Sequence, residues 1–89
     1  MHDWTLQSIH VDWARGVAKI ELKDSMSMVR FIEINELKSV TIPRRNPWGE
    51  SVSINEAIYL VNEGGEHALI VEMQSGDYIK VEAGFISKL

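Results

Sequence analysis

The chain reads as all-β: a small antiparallel β-sandwich or β-roll of six or seven strands. Three observations predict this class. Apolar residues recur with a period of two, as a strand with one buried face requires, because successive side chains point to opposite sides of a sheet. Glycine, asparagine, aspartate and serine punctuate the pattern at regular short spacing. No apolar stripe of helical period runs long enough to form a long helix.

The first strand covers residues 4–13. Trp4 and Leu6 alternate, and then Ile9, Val11 and Trp13 alternate in the opposite phase. One extra residue near Gln7 or Ser8, a β-bulge, reconciles the two phases. The turn Ala14-Arg15-Gly16 leads into a second strand over 17–23, with Ala18, Ile20 and Leu22 on one face and Val17, Lys19, Glu21 and Lys23 on the other; the pair forms a hairpin. Residues 28–35 (MVRFIEIN) are apolar on both faces and predict a central strand, with Arg30 at its border. A turn over 36–38 precedes a short strand over 39–42, ended by Pro43, which has no ladder donor.

Residues 51–62 (SVSINEAIYLVN) carry two patterns. Ser53 and Glu56 have capping-box spacing, yet a helix there would last about two turns, and Val52, Ile54, Ile58, Tyr59 and Val61 favour strand. The segment reads as a strand broken near Asn55. Gly64-Gly65 turns the chain into a strand over 67–74 (HALIVEMQ), Ser75-Gly76-Asp77 makes a tight turn into 78–83 (YIKVEA), and the tail after Gly84 adds a short last strand.

At 89 residues the sequence accommodates one domain, 1–89, burying about 60–65% of its extended surface and stable by roughly 5–10 kcal/mol. Hydrophobic residues at 45% and charged residues at 25% give the balance of a folded globule rather than a disordered chain. The absence of cysteine removes disulfides, thiolate zinc sites and a cysteine nucleophile. The opening MHDWTLQ has neither the basic nor the apolar region of a signal peptide, and no apolar run approaches the ~20 residues of a spanning helix, so the expectation is a cytoplasmic protein with no membrane partner.

A net charge of −4 disfavours nucleic acid as a partner, since each neutralised phosphate adds to affinity. The charge is unevenly divided. Residues 1–45 carry seven basic groups against six acidic, and residues 46–89 carry two against seven, a dipolar arrangement that steers charged partners.

The segment TIPRRNPWGESVSIN concentrates the chain's unusual residues. Pro43 and Pro47 stiffen it, Gly49 permits a positive φ, and Trp48 is held between Pro47 and Gly49 beside the pair Arg44-Arg45. Tryptophan and arginine are the types enriched at binding hot spots, and a rigid loop loses less entropy on binding, so Arg44, Arg45, Trp48 and Glu50 are the candidate binding residues. A competing role for Trp48 is to fold back over one end of the β body.

Metal-ligand types gather only at His2, Asp3, His10 and Asp12; His10 and Asp12 share a strand face, while His2 and Asp3 reach them only by folding back. The reading assigns no metal and no cofactor. Catalytic patterns are missing: the sequence has no nucleophile elbow, phosphate-cradling glycine loop or His-Glu-x-x-His, and no local pattern pairs a serine with His2, His10 or His67. Glu72 lies inside the apolar run ALIVEM, where a buried carboxylate would have a raised pKa and serve as a general acid; otherwise it faces solvent or pairs with a cross-strand cation such as Lys80. The expectation is a protein that is not an enzyme.

The opening His2-Asp3-Trp4-Thr5-Leu6, followed by a strand, a short turn and a second strand ending in IELKD, resembles the start of a broad group of small bacterial β-rich domains with an HD-x-x-L motif. Some members are immunity proteins that bind and neutralise a cognate toxin. The resemblance covers the first 45 residues, with Trp4 standing where a small residue is common and no aromatic residue before His2. It implies a β fold and a protein partner. The blocks IPRRNPWG and EMQSGDYIKVEA look like signatures of a narrower group within that class. The leading expectation is therefore a non-catalytic protein-binding domain, of immunity type or otherwise, acting through the 44–50 loop or an exposed sheet edge. The alternatives are a homo-oligomeric structural module paired edge to edge and a small-molecule or metal-binding domain built on His2, Asp3, His10 and Asp12.

Overall fold

A computed structural model of the chain describes residues 1–45 and 52–88. Six strands form among these residues: β1 (Thr5–Asp12), β2 (Val17–Lys23), β3 (Val29–Thr41), β4 (Ile54–Val61), β5 (His67–Met73) and β6 (Tyr78–Ile86). They make one antiparallel sheet in the order β1-β2-β3-β6-β5-β4. The all-β class and its antiparallel pairing are as the alternation predicts. Among the described residues there is no helix, hence none long and apolar enough to cross a membrane.

The hairpin of β1 and β2 forms with Asp12 opposite Val17, and its register shifts between Leu6 and Ser8, where the change of phase places a bulge. The ambiguous segment, of which Ser51 lies outside the described residues, is strand over Ile54–Val61. Its own register shift falls between Ile54 and Glu56, at the Asn55 break. Tertiary pairing with β5 decides the matter, because a two-turn helix is too short to be stable without strong packing.

The expected turn over 36–38 is absent, and β3 runs unbroken through it. Glu36 takes a left-handed φ of 54°, and the register against β6 shifts again between Leu37 and Ser39. The inward set on β3 is Ile32 and Ile34 and then Leu37 and Val40, while on β6 it is Ile79, Val81 and Ala83 and then Ile86. Both strands thus place two successive residues outward at the same point, Asn35-Glu36 against Gly84-Phe85. The sheet folds over at this corner, so the last strand expected after Gly84 is the continuation of β6 across the bend.

Folding over brings the two halves of the sheet face to face. Ala18, Ile20, Leu22, Ile32 and Ile34 from one half meet Leu69, Val71, Met73, Ile79, Val81 and Ala83 from the other, with Ile54 and Ile86 between them. Leu22 and Ile54 are wholly buried. Each such side chain contributes about 1.5–3 kcal/mol by leaving water. The ends of the sheet also meet: Asp3 N–H donates to Ile54 O at 2.9 Å, Ile54 N–H to Trp4 O at 2.8 Å and Leu6 N–H to Val52 O at 2.9 Å. These bonds join β1 to β4 at their first residues only. The bridge is antiparallel, so the two strands run on in opposite directions, and β4 beyond Asn55 has no strand partner on this side among the described residues.

The radius of gyration, 12.7 Å, is close to the ~12 Å of a folded domain of this length. Several apolar residues depart from their expected burial, among them Val11, Phe31 and Ile42. Trp13 closes the phase of Ile9 and Val11 in sequence yet is 88% exposed, because β1 ends at Asp12 and Trp13 begins the turn. Met28 and Val29 lie at the exposed start of β3, beside a turn organised by Asp24.

Candidate protein-binding surface

The free edge of β4 and the outer face beside it form the most distinctive surface among the described residues. The hairpin turn fixes the geometry: Asn62 N–H donates to Glu66 O at 2.9 Å, and Asn62 Oδ1 accepts from Glu66 N–H at 2.9 Å. In an antiparallel ladder hydrogen-bonded pairs alternate with unbonded ones, so Leu60 with Ala68 and Ile58 with Ile70 are the bonded pairs that follow. The main-chain groups of Ala57, Tyr59 and Val61 then point away from β5, toward the open side.

Side chains obey the same alternation. Ala57 and Tyr59 turn inward, whereas Ile58 and Leu60 turn outward and are 44% and 51% exposed. Cross-strand pairing sets Ile70 beside Ile58 and Ala68 beside Leu60, making a continuous apolar strip on the outside of the sheet. Edge strands that must stay unpaired usually carry lysine, proline or a bulge. Between Glu56 and Val61 this one has none of these. The second half of β1, Ser8 to Asp12, is polar at every second position and ends in an aspartate.

Charge surrounds the strip asymmetrically. Glu56 and Glu72 flank one end; Glu63, Glu66 and Glu82 lie toward the other. The cations of this region are already engaged, Lys80 with Glu82 at 3.1 Å and Lys38 with Glu66 at 3.5 Å. Glu72 faces outward. The Tyr78 hydroxyl donates to its Oε2 at 2.7 Å and the Asn55 amide to its Oε1 at 2.7 Å, and these bonds, Tyr78 first, hold its carboxyl below the ordinary 4.5. A buried acid of raised pKa is thereby overturned. The solvent-facing alternative holds, without Lys80, which stands opposite Ile70 in the ladder and pairs with Glu82.

A clasp fixes the far end of β4. The Tyr59 hydroxyl lies between His67 Nδ1 and the carbonyl of Ile86, tying β4, β5 and the end of β6 together. The Tyr59 and His67 rings meet edge to face, 5.6 Å between centroids. Such fixing lowers the entropy that the edge would lose on binding.

Of the candidate loop, Arg44 and Arg45 are exposed beyond the end of β3, and Trp48 and Glu50 lie outside the described residues. The His2, Asp3, His10 and Asp12 set does not come together. His2 donates from Nδ1 to Asn55 O at 2.8 Å and Asp3 accepts from Gln74 at 2.7 Å, both at the seam, while His10 and Asp12 lie toward the hairpin tip, roughly 20 Å along β1. Among the described residues no three histidine, aspartate or glutamate side chains converge as metal ligands.

Sequence reasoning gave no special place to the β4 edge, although two signals for it were present. The run AIYLV contains no lysine or proline, and acids crowd its flanks. It also missed Trp13 as an exposed residue at a rigid tip, where Gly16 N–H donates to Trp13 O at 3.2 Å and Leu37 N–H to Gly16 O at 2.8 Å. No protein-family model, curated protein or solved structure matches the chain.

Proposed function

We propose that the protein is a non-catalytic binding domain that takes an extended strand of another protein along β4. The observation that carries the reading is the coincidence, on one strand, of unpaired main-chain groups at Ala57, Tyr59 and Val61 with an outward apolar strip at Ile58 and Leu60. Main-chain bonds supply affinity in strand addition, and alternate side chains supply selection. The acidic surroundings select a strand that alternates apolar residues with lysine or arginine. A second copy of this chain is a poorer occupant, because antiparallel self-pairing lays one acidic border against another. The resemblance of residues 2–6 suggests a toxin as the partner, in an immunity-type role. Arg44 and Arg45 add a second, basic contact in the same reading.

The test uses a synthetic peptide of alternating valine and lysine, with an alternating valine and glutamate peptide as control, titrated by fluorescence anisotropy. The lysine peptide binds saturably, the glutamate peptide at least tenfold more weakly, and Ile58→Lys removes binding while the far-ultraviolet spectrum stays unchanged. Equal affinity for the two peptides, or binding indifferent to Ile58→Lys, refutes the reading. Light scattering that shows a dimer at micromolar concentration assigns the edge to a second copy instead.

A further inference from the structure

Where β4 runs on past the N-terminal residues, the interior opens into a cavity of about 360 Å³ lined by Met1, Trp4, Ile32, Ala57, Tyr59, Leu69, Ser87 and Lys88. Its floor is core: Ile32 and Leu69 are each 2% exposed. Its walls are the indole of Trp4 and the ring of Tyr59. Its polar groups are few, Ser87, Lys88 and the Tyr59 hydroxyl that His67 and the Ile86 carbonyl already hold, which is the usual construction of a small-molecule site: an apolar body with few oriented polar groups.

The rim has one sign of charge. In a chain of net charge −4 the lining includes no carboxylate among the described residues, and its one charged side chain is that of Lys88. The ammonium of Lys88 stands 5.1 Å from the centre of the Tyr59 ring, and among the described residues it has no ion-pair partner. Ser87 Oγ accepts from Glu33 N–H at 2.8 Å, which leaves the hydroxyl proton free to be donated. An ammonium and a hydroxyl donor above an apolar floor complement an amphiphile with an anionic head.

We propose that this cavity binds a small amphiphilic carboxylate, with its hydrocarbon body between Trp4, Ala57 and Leu69 and its head at Lys88 and Ser87. The site is lined by the side chains that β4 turns inward, Ala57 and Tyr59, and so uses other side chains than the outer strip of Ile58 and Leu60. A volume of about 360 Å³ admits a chain of about eight carbons or one substituted ring, near the lower end of the range for ligand pockets.

Isothermal titration with octanoate, 1-octanol and octyltrimethylammonium tests the assignment. Octanoate binds with one-to-one stoichiometry and at least tenfold more tightly than octyltrimethylammonium. Lys88→Gln brings octanoate to within about threefold of octanol, and Ala57→Trp, which fills the wall, abolishes binding of both. Absence of saturable octanoate binding to the unsubstituted protein overturns the proposal, as does a head-group preference that survives Lys88→Gln. Should Ala57→Trp fail to fold, the exposed Lys88→Gln variant decides alone. Ile58→Lys, which disables the outer strip, leaves octanoate affinity unchanged, so the two sites fail separately.

Discussion

Gly84 lies against Glu36 so closely that a Cβ on the glycine would fall 2.8 Å from the Cβ of Glu36 and closer still to its carboxylate. The glutamate itself holds a left-handed φ of 54°. Together they form the corner over which β3 and β6 fold, and any side chain at position 84 must displace β3. Gly84→Ala should cost about 1–3 kcal/mol by overpacking, measured by urea denaturation. Glu36→Gly removes both the clash and the left-handed strain, so the double variant should recover most of that loss. A Gly84→Ala protein as stable as the original would mean that the corner adjusts freely.

Leu22, next to the last residue of β2, is wholly buried between Leu6 of β1 and Arg30 of β3 in the register. Leu22→Ala should destabilise by about 2–5 kcal/mol, from lost transfer energy plus the cavity left behind. In a domain stable by roughly 5–10 kcal/mol this is a large share, and thermal unfolding reads it directly.

The Asp24 carboxylate organises the link between β2 and β3. Oδ1 accepts from Met28 N–H and Met26 N–H, each at 2.9 Å, and Oδ2 from Arg30 Nε at 3.1 Å. These bonds, that from Met28 first, hold its pKa below the ordinary 3.8. A depressed folded pKa gives stability that is present above pH 3.8 and lost as pH falls through the folded value. Asp24→Asn should therefore lose stability at neutral pH and show a flatter decline below pH 3.8 than the original protein, seen in melting temperatures across pH.

Tyr78 and Glu72 shift each other in opposite directions. The Glu72 carboxylate, as hydrogen-bond acceptor first and as a charge second, raises the phenol above 10.0. A raised folded pKa gives stability complete below pH 10.0 and lost as pH rises through the folded value. Glu72→Gln should bring the Tyr78 titration down toward 10.0, which ultraviolet absorbance follows in a Tyr59→Phe background. An unchanged titration would break the pairing.

Local patterns were legible in the sequence where one face is buried and the other wet. The β1–β2 hairpin, the bulge beside Ser8 and the strand over Tyr78 to Ala83 follow from alternation and turn residues alone. Glu36 was not legible, since nothing in its own residue type asks for a left-handed conformation, and the close approach of its side chain is permitted by Gly84, 48 positions away. The interruption in apolar spacing at Asn35-Glu36 reads equally well as a turn between two strands. Trp13 misled in the opposite way, because an aromatic residue in phase with a strand looks buried until the strand's end is known. The β4 edge depends on strand order, which alternation does not encode, and the interior cavity depends on where β4 runs on past the N-terminal residues.

Hydrogen exchange at single amides tests the open edge most directly. In the free protein the amides of Ile58 and Leu60, bonded to β5, should exchange slowly, and those of Ala57, Tyr59 and Val61 quickly. The alternating valine and lysine peptide should slow the second group at least tenfold and leave the first unchanged. Slow exchange of Ala57, Tyr59 and Val61 in the free monomer would contradict the account, because the edge proposed to receive a strand would already be covered.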